Sequence, residues 1–312
     1  MRRFNDRFLR CIKAALPQGM KTALWLLKIT IPVSFAVFLL DVFGILNDIA
    51  VLVTPLFKLI GLSGQASIIL ITSFFTNIYS VIAVMTTLGI GHREGIILAV
   101  MCLISHSMIV ETAIQKKTGS KPIRIVLIRL TTSLIAAIIL NFILPEEHLR
   151  TSENVAKTTI VFISAFKNWL ITISQTSFKI VVLVNLLLIL QKTLHEFNLI
   201  KWILIPFKPL LKLMGLPKNT GFLWIVAYTL GLGYGGVIMI NEKEEGRLSD
   251  EEADLLNHHI AISHSQLEDP LLFVAIGYPL FILMWPRLLL AIGVVWLRRL
   301  ERNLQLVEYS KQ

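Results

Sequence analysis

The sequence predicts an all-α polytopic membrane protein built from two inverted repeats, and three observations predict it. Of 312 residues, 55% are apolar and only 16% charged, with a mean hydropathy of +0.72, whereas soluble domains carry about 25% charged residues. The stretch from Leu59 to Gly91 has no Lys, Arg, Asp or Glu, and neither does Thr220 to Ile240; a bilayer crossing needs about 20 such residues. The chain also repeats itself. FLRCIKAAL (Phe8 to Leu16) aligns with FISAFKNWL (Phe162 to Leu170), and TPLFKLIGL (Thr54 to Leu62) with KPLLKLMGL (Lys208 to Leu216). ISHS at Ile104 to Ser107 returns at Ile262 to Ser265, followed by Gly119 over Gly277 and Arg129 over Arg287.

Each repeat reads as an interfacial amphipathic helix, three spanning helices and a re-entrant hairpin. In the opening segment Phe4, Phe8, Leu9, Ile12 and Leu16 fall on one side and Arg3, Arg7, Arg10 and Lys13 largely on the other, as in a helix lying in the membrane surface. The apolar run after Lys21 continues to about Leu46 with no A-x-A-like site, too long for a signal-peptide core, so it is a retained first span. A short Pro-containing segment, a second span, the SHS segment and a last span follow. The repeats take residues 1–145 and 158–300, with a linker at 146–157 and a cytoplasmic tail at 301–312.

The SHS segments decide the topology. If they cross fully, each half has four crossings and the halves are parallel; if they dip and return, each half has three and the halves are inverted. With the N-terminus inside, the inverted arrangement keeps more Lys and Arg on the cytoplasmic side, including QKKTGSKPIR (Gln115 to Arg124). HHIAISHSQLEDPLL (His258 to Leu272) is also too polar for lipid but tolerable in a protein-lined hairpin. Both termini are then cytoplasmic, in the inner membrane of a prokaryote.

Chemistry concentrates at the repeated SHS. Glu111 follows His106 by five residues, and Asp269 follows His264 by five, with Glu268 beside it. Ser105, His106, Ser107, Glu111, Ser263, His264, Ser265, Glu268 and Asp269 are candidate solute or ion ligands at the repeat interface, where broken helices offer dipole ends. His106, His264, Glu111 and Asp269 are the candidate metal ligands. The alternative is that the hydroxyls and imidazoles satisfy one another and the local backbone. GLGYGG at Gly231 to Gly236 has no βαβ context, so it is no dinucleotide site; it overlies TNIYS (Thr76 to Ser80) as a place where a span unwinds. Asn77, Gly233 and Gly235 there would face the same cavity, or pack helices closely. His258 and His259 with His264 and Glu268 form a weaker metal constellation.

Other classes fall away. The net charge of +10 gathers at the ends of apolar runs, so nucleic acid is no partner. Cys11 and Cys102 form neither a disulfide framework nor a CxxC motif. No HExxH, nucleophile elbow or P-loop occurs, so no enzyme is expected. No cofactor is expected beyond a bound divalent metal or coupling ion; the partners are lipid, a small solute or ion, and a second copy of the chain. The expected function is a transporter or permease of a small solute or ion; a divalent metal-ion permease is one alternative, and a non-transporting membrane scaffold or subunit, in sporulation or envelope assembly, is the alternative from another class.

With its paired ISHS, its PLFKLIGL and PLLKLMGL segments and its glycine-rich span, the sequence resembles the nucleoside-recognition, or Gate-domain, membrane proteins. That family includes spore maturation proteins, with related Gate segments in ferrous-iron permeases and concentrative nucleoside transporters. The resemblance implies a polytopic transporter-like protein with two Gate elements, and a Gate role for Ser105, His106, Ser107, Ser263, His264 and Ser265. The chain departs from the ferrous-iron permeases in carrying no P-loop.

Overall fold

A computed structural model describes residues 2–45, 55, 57–58, 60–145, 162–197 and 209–309. Among them there is no strand. The expected linker at 146–157 lies outside the described residues; of the expected tail, residues 301–309 extend the last helix.

Helix α1 (Arg2–Val42) runs unbroken for 41 residues with Pro17 and Pro32 inside it. The amphipathic start is therefore continuous with the first span rather than a separate interfacial helix. Proline removes one backbone bond, and here the helix is carried past it by packing against its repeat mate, α7 (Phe162–Glu196). The two run antiparallel: Arg7 Nε pairs with Glu196 at 2.8 Å at one end, and Trp169 Nε1 donates to Ser34 Oγ at 3.1 Å near the other. Phe35, Phe38, Phe166 and Trp169 stack between them.

The remaining helices follow the repeat. The first half has α2 (Ala66–Phe75), α3 (Ile78–Leu88), α4 (His92–Ser105), α5 (Met108–Lys117) and α6 (Pro122–Ile143). The second has α8 (Gly221–Glu244), α9 (Asp250–Ser263), α10 (Glu268–Val274) and α11 (Leu280–Tyr309). Among the described residues, His92–Lys117, Pro122–Ile143, Phe162–Leu190 and Leu280–Leu304 are long and apolar enough to cross a bilayer. Their outer faces are apolar: Ile123, Phe142, Phe281 and Leu297 are exposed, while Arg129 and Arg287 are buried. That inversion of the soluble pattern suits lipid as the solvent.

Hydrogen bonds fix how far each helix travels. Arg93, opening α4, donates to Asn141 near the end of α6; Arg129, early in α6, donates to Ile104 and His106; a four-residue turn then joins α5 to α6. From residue 93 to 105 and from 129 to 141 a helix rises about 18 Å, so α4 and α5 together run the length of α6 in the opposite direction. The second half does the same, with Asp254 bound to Arg298, and Ile262 and His264 to Arg287. The SHS segments are thus breaks in through-running helices, not the expected hairpins.

The doubling back falls elsewhere. Ser63, just before α2, donates to Glu94 at the start of α4, and α3 ends in the turn into α4, so α2 and α3 begin and end at one level. Their bend, at Thr76–Asn77, reaches Ser107, whose N–H donates to Ser73 O and Thr76 O. Helix α8 folds in the same way at Gly231 (φ 80°, ψ 170°), a conformation open to glycine. Its second limb lies back on the first: a Cβ on Gly235 would sit 2.7 Å from that of Ala227. Both its ends lie near the start of α9, through Asn219 to Glu252 and Lys243 to Asp250.

Gly231→Ala should lower stability by about 1–3 kcal/mol, because its backbone lies in a region essentially restricted to glycine, read as a drop in melting temperature, with Gly233→Ala, which meets no neighbour, as the comparison.

Candidate functional site

Two helix breaks meet at the centre. α4 and α9 end in extended His106 and His264 (φ −69° and −71°), and the next residues, Ser107 and Ser265, are left-handed at φ 46° and 52°. They are the non-glycine residues with positive φ among those described, and such strain persists only where the surroundings enforce it. The enforcement is visible. Arg129 Nε donates to Ile104 O at 2.7 Å and Nη2 to His106 O at 2.6 Å; Arg287 does the same to Ile262 O at 3.0 Å and His264 O at 2.7 Å. Ser107 N donates to Ser73 O at 2.9 Å, and Ser265 N to Ala227 O at 3.0 Å. Each guanidinium satisfies carbonyls that a helix C-terminus leaves without donors, at the negative end of its dipole.

The breaks place the acids and imidazoles in contact. Glu111 Oε1 lies 3.2 Å from His106 Nε2 and 3.1 Å from His264 Nε2, and Glu111 Oε2 lies 2.8 Å from Arg129 Nη2. Asp269, the repeat mate of Glu111, reaches across to His106 Nε2 at 3.5 Å. The imidazole centroids are 5.1 Å apart, and His106, Glu111 and His264 are all buried. Each ring is held by its other nitrogen: His106 Nδ1 lies 3.0 Å from Cys102 O and His264 Nδ1 2.7 Å from Ile260 O. A carbonyl only accepts, so Nδ1 carries the proton and a neutral ring turns a bare Nε2 lone pair toward Glu111.

The other expected residues are placed less centrally. Ser105 and Ser107 donate to backbone carbonyls of Met101 and Thr76, and Ser263 bonds the His259 backbone and ring, so these hydroxyls serve the breaks. Ser265 sits beside Gly231 at the tip of the α8 fold. Glu268 accepts from Tyr79 Oη at 3.1 Å. Asn77 caps α3 through Ser80 N, at the other tip. Gly233 and Gly235 lie on the second limb of α8, whereas the residue at the bend is Gly231. The weaker constellation does not assemble: His258 bonds Asp254 O, and His259 sits between Trp224 and Ser263.

Arg129 and Arg287, which the repeat aligns, are the residues to which the sequence gives no role at the site. Their signal was there, an arginine repeated at one register inside an apolar run. Ser120, Asn257 and Gln115 were also missed. Asn257 Nδ2 donates to Thr118 Oγ1 at 2.8 Å and Ser120 Oγ at 3.0 Å, and Gln115 Nε2 donates to Asn257 O at 2.9 Å. This polar contact lies between the site and the Gly119 end, where Lys243, 2.7 Å away, holds the exposed Asp250 carboxyl below its usual range.

Residues 23–121 match the Gate family, described as nucleoside recognition. A relative in Bacillus subtilis (strain 168), described as the uncharacterized membrane protein YvoD, is 29% identical over an alignment of 294 residues that covers 89% of each chain. No solved structure matches. The matched segment ends at the turn after α5; the second SHS copy lies beyond it. The described residues are all helical, with helices long and apolar enough to cross a membrane, and the first half contains a segment that matches the Gate family.

Arg129→Met leaves Ile104 O and His106 O without their donor and Glu111 without its counter-ion, so it should cost about 3–5 kcal/mol. Arg287→Met should be comparably harmful, and Arg129→Lys should recover part of the loss; melting of the detergent-purified variants checks all three.

Proposed function

We propose that the protein is a transporter or permease of a small solute or ion, built from two inverted repeats around a midplane site. The observation that carries this reading is the meeting of two repeat-related helix breaks and two doubled-back helices at one buried His–Glu–His centre. The architecture of broken helices and polar residues at a repeat interface suits alternating access.

Inversion is supported by the directions of the repeat mates. Gly95, early in α4, lies against Tyr278, just before α11, and Gln115 at the end of α5 lies against Asn257 in α9. The α4–α5 pair therefore runs antiparallel to α9–α10. On this reading α2–α3 and α8 are re-entrant hairpins entering from opposite faces, and each half crosses three times. Lys116, Lys117, Lys121, Arg124, Lys218, Arg299 and Arg302 gather at the Gly119 end, against Arg93, Lys58 and Lys179 at the other, which makes the Gly119 end cytoplasmic by the distribution of basic residues. Both termini fall on that face of a prokaryotic inner membrane.

The two ends are closed by different chemistry. Asp254, Asn257 and Arg298 at the Gly119 end correspond in the repeat to Ile96, Ala99 and Leu140 at the Gly277 end, and Gln115 and Thr118 to Phe273 and Ile276. Separating the polar end exchanges protein hydrogen bonds for water at a net cost of about 1 kcal/mol each. Separating the apolar end exposes Ile96, Ala99 and Phe273, which are buried, at about 25 cal/mol per Å². The cytoplasmic end is therefore the one that opens first.

Proteoliposomes tested with labelled nucleosides, small organic acids and divalent cations should accumulate one class, and a His106→Ala, His264→Ala double variant of unchanged melting temperature should not. Equal uptake by the double variant would remove these histidines from the mechanism. In a background lacking Cys11 and Cys102, an introduced Thr112→Cys should react about tenfold faster with a membrane-impermeant thiol reagent from the Gly119 face when Asn257→Ala is added, a tenfold change corresponding to about 1.4 kcal/mol. A rise confined to the opposite face would contradict the order of opening.

A further inference from the structure

Neutral imidazoles in the tautomer that the backbone imposes aim two lone pairs at a carboxylate oxygen 3.1 and 3.2 Å away. Acceptors facing acceptors repel, so a positive particle belongs between them. His264 Nε2 has no hydrogen-bond partner and the residue is 1% exposed. One proton joins one nitrogen to Glu111 and leaves the other unsatisfied. Two protons would make two buried imidazolium rings 5.1 Å apart, a like-charge pair in a poorly screened site. A single divalent cation brings the same charge without that repulsion.

We propose that His106 Nε2, His264 Nε2 and Glu111 Oε1 form a three-ligand binding site for a divalent transition-metal ion, with Asp269 Oδ2 beside it at 3.5 Å from His106 Nε2; the ion is the cargo of the transport reading on which this inference rests. The spacing fits. A tetrahedral ion with bonds of about 2.0–2.1 Å has ligand-to-ligand edges of about 3.3 Å; His264 and His106 Nε2 lie 3.1 and 3.2 Å from Glu111 Oε1, and the three ligand atoms are all within 4.8 Å of one another. The ligand set is imidazole and carboxylate without thiolate, which suits zinc, cobalt or manganese and disfavours a soft ion such as Cu(I). The surroundings supply what metal-binding histidines require, an Nδ1–H held by a carbonyl. Arg129 on Glu111 Oε2 leaves Oε1 free to ligate while partly offsetting the negative charge, which makes the centre suited to an ion that must leave again. The donors come from both repeats, so movement of one half against the other would take the set apart and release the ion.

Cobalt(II) titrated into the purified full chain tests this, because tetrahedral coordination gives intense visible absorption that competing zinc removes. The expected result is one ion per chain, a rise in melting temperature, and affinity weakened at least ~100-fold by His106→Ala, His264→Ala or Glu111→Gln, while His92→Ala, an exposed imidazole, binds as wild type. Glu111→Gln keeps size and shape, and a variant that melts like wild type and has lost cobalt counts for the site whatever the alanines do. Absence of the band with wild-type protein at millimolar cobalt, or a band that survives all three substitutions, overturns the proposal. Cobalt bound but not taken up by proteoliposomes would leave the site standing and contradict the transport reading; uptake of another solute with no metal bound would do the reverse.

Discussion

The structure depends on the grip of two buried guanidinium groups on the carbonyl ends of two broken helices. Arg129 and Arg287 each reach back to the helix before them, span the last turn and the following extended histidine, and do so with nearly the same pair of bonds. Without them, each break would leave unpaired carbonyls in an apolar interior, which costs several kcal/mol per group in lipid. With them, the break is stable, Ser107 and Ser265 accept a left-handed backbone, and the two histidines are thrown to the centre. Glu111 closes the arrangement by answering the charge of Arg129.

Function follows from what the repeat copies and what it does not. The breaks, the arginines, the left-handed serines and the glycines before the last helices are shared, with Gly119 and Gly277 at φ 107° and 106°. These shared parts assemble one centre from two halves. The seals above and below it are not shared, since polar side chains on one side stand where apolar ones stand on the other. On the proposed transport reading, a symmetric skeleton with unequal seals lets a carrier present one site to two faces in turn.

Much of this was legible in the sequence, because repeat and composition are physical constraints in their own right. Two copies of ISHS with acids five residues on could be paired by counting, whereas the two charge-free runs, expected to cross, are the segments that double back. The expected hairpins fall in the wrong place because polarity is a poor mark of a re-entrant segment. The polar SHS residues are sheltered by protein on all sides and can sit in a through-running helix, while the segments that double back, Ala66 to Leu88 and Gly221 to Glu244, are largely apolar. Their bends rest on one Asn cap and one glycine, features that also occur in unbroken spans. Arg129 and Arg287 stand out in the sequence as a matched pair without a role, because a sequence does not show that carbonyls lie within their reach.

The most direct measurement of the central claim is the sidedness of three single cysteines, at Lys116, His92 and Asp250, in an otherwise cysteine-free chain within oriented vesicles labelled by an impermeant thiol reagent. The account predicts that Lys116→Cys and Asp250→Cys label from one face and His92→Cys from the other, since α4–α5 crosses and α9 starts where α5 ends. Labelling of Lys116→Cys and His92→Cys from the same face would make the SHS segment a hairpin. Labelling of Asp250→Cys together with His92→Cys would make the halves parallel, and either result would contradict a centre formed between inverted repeats.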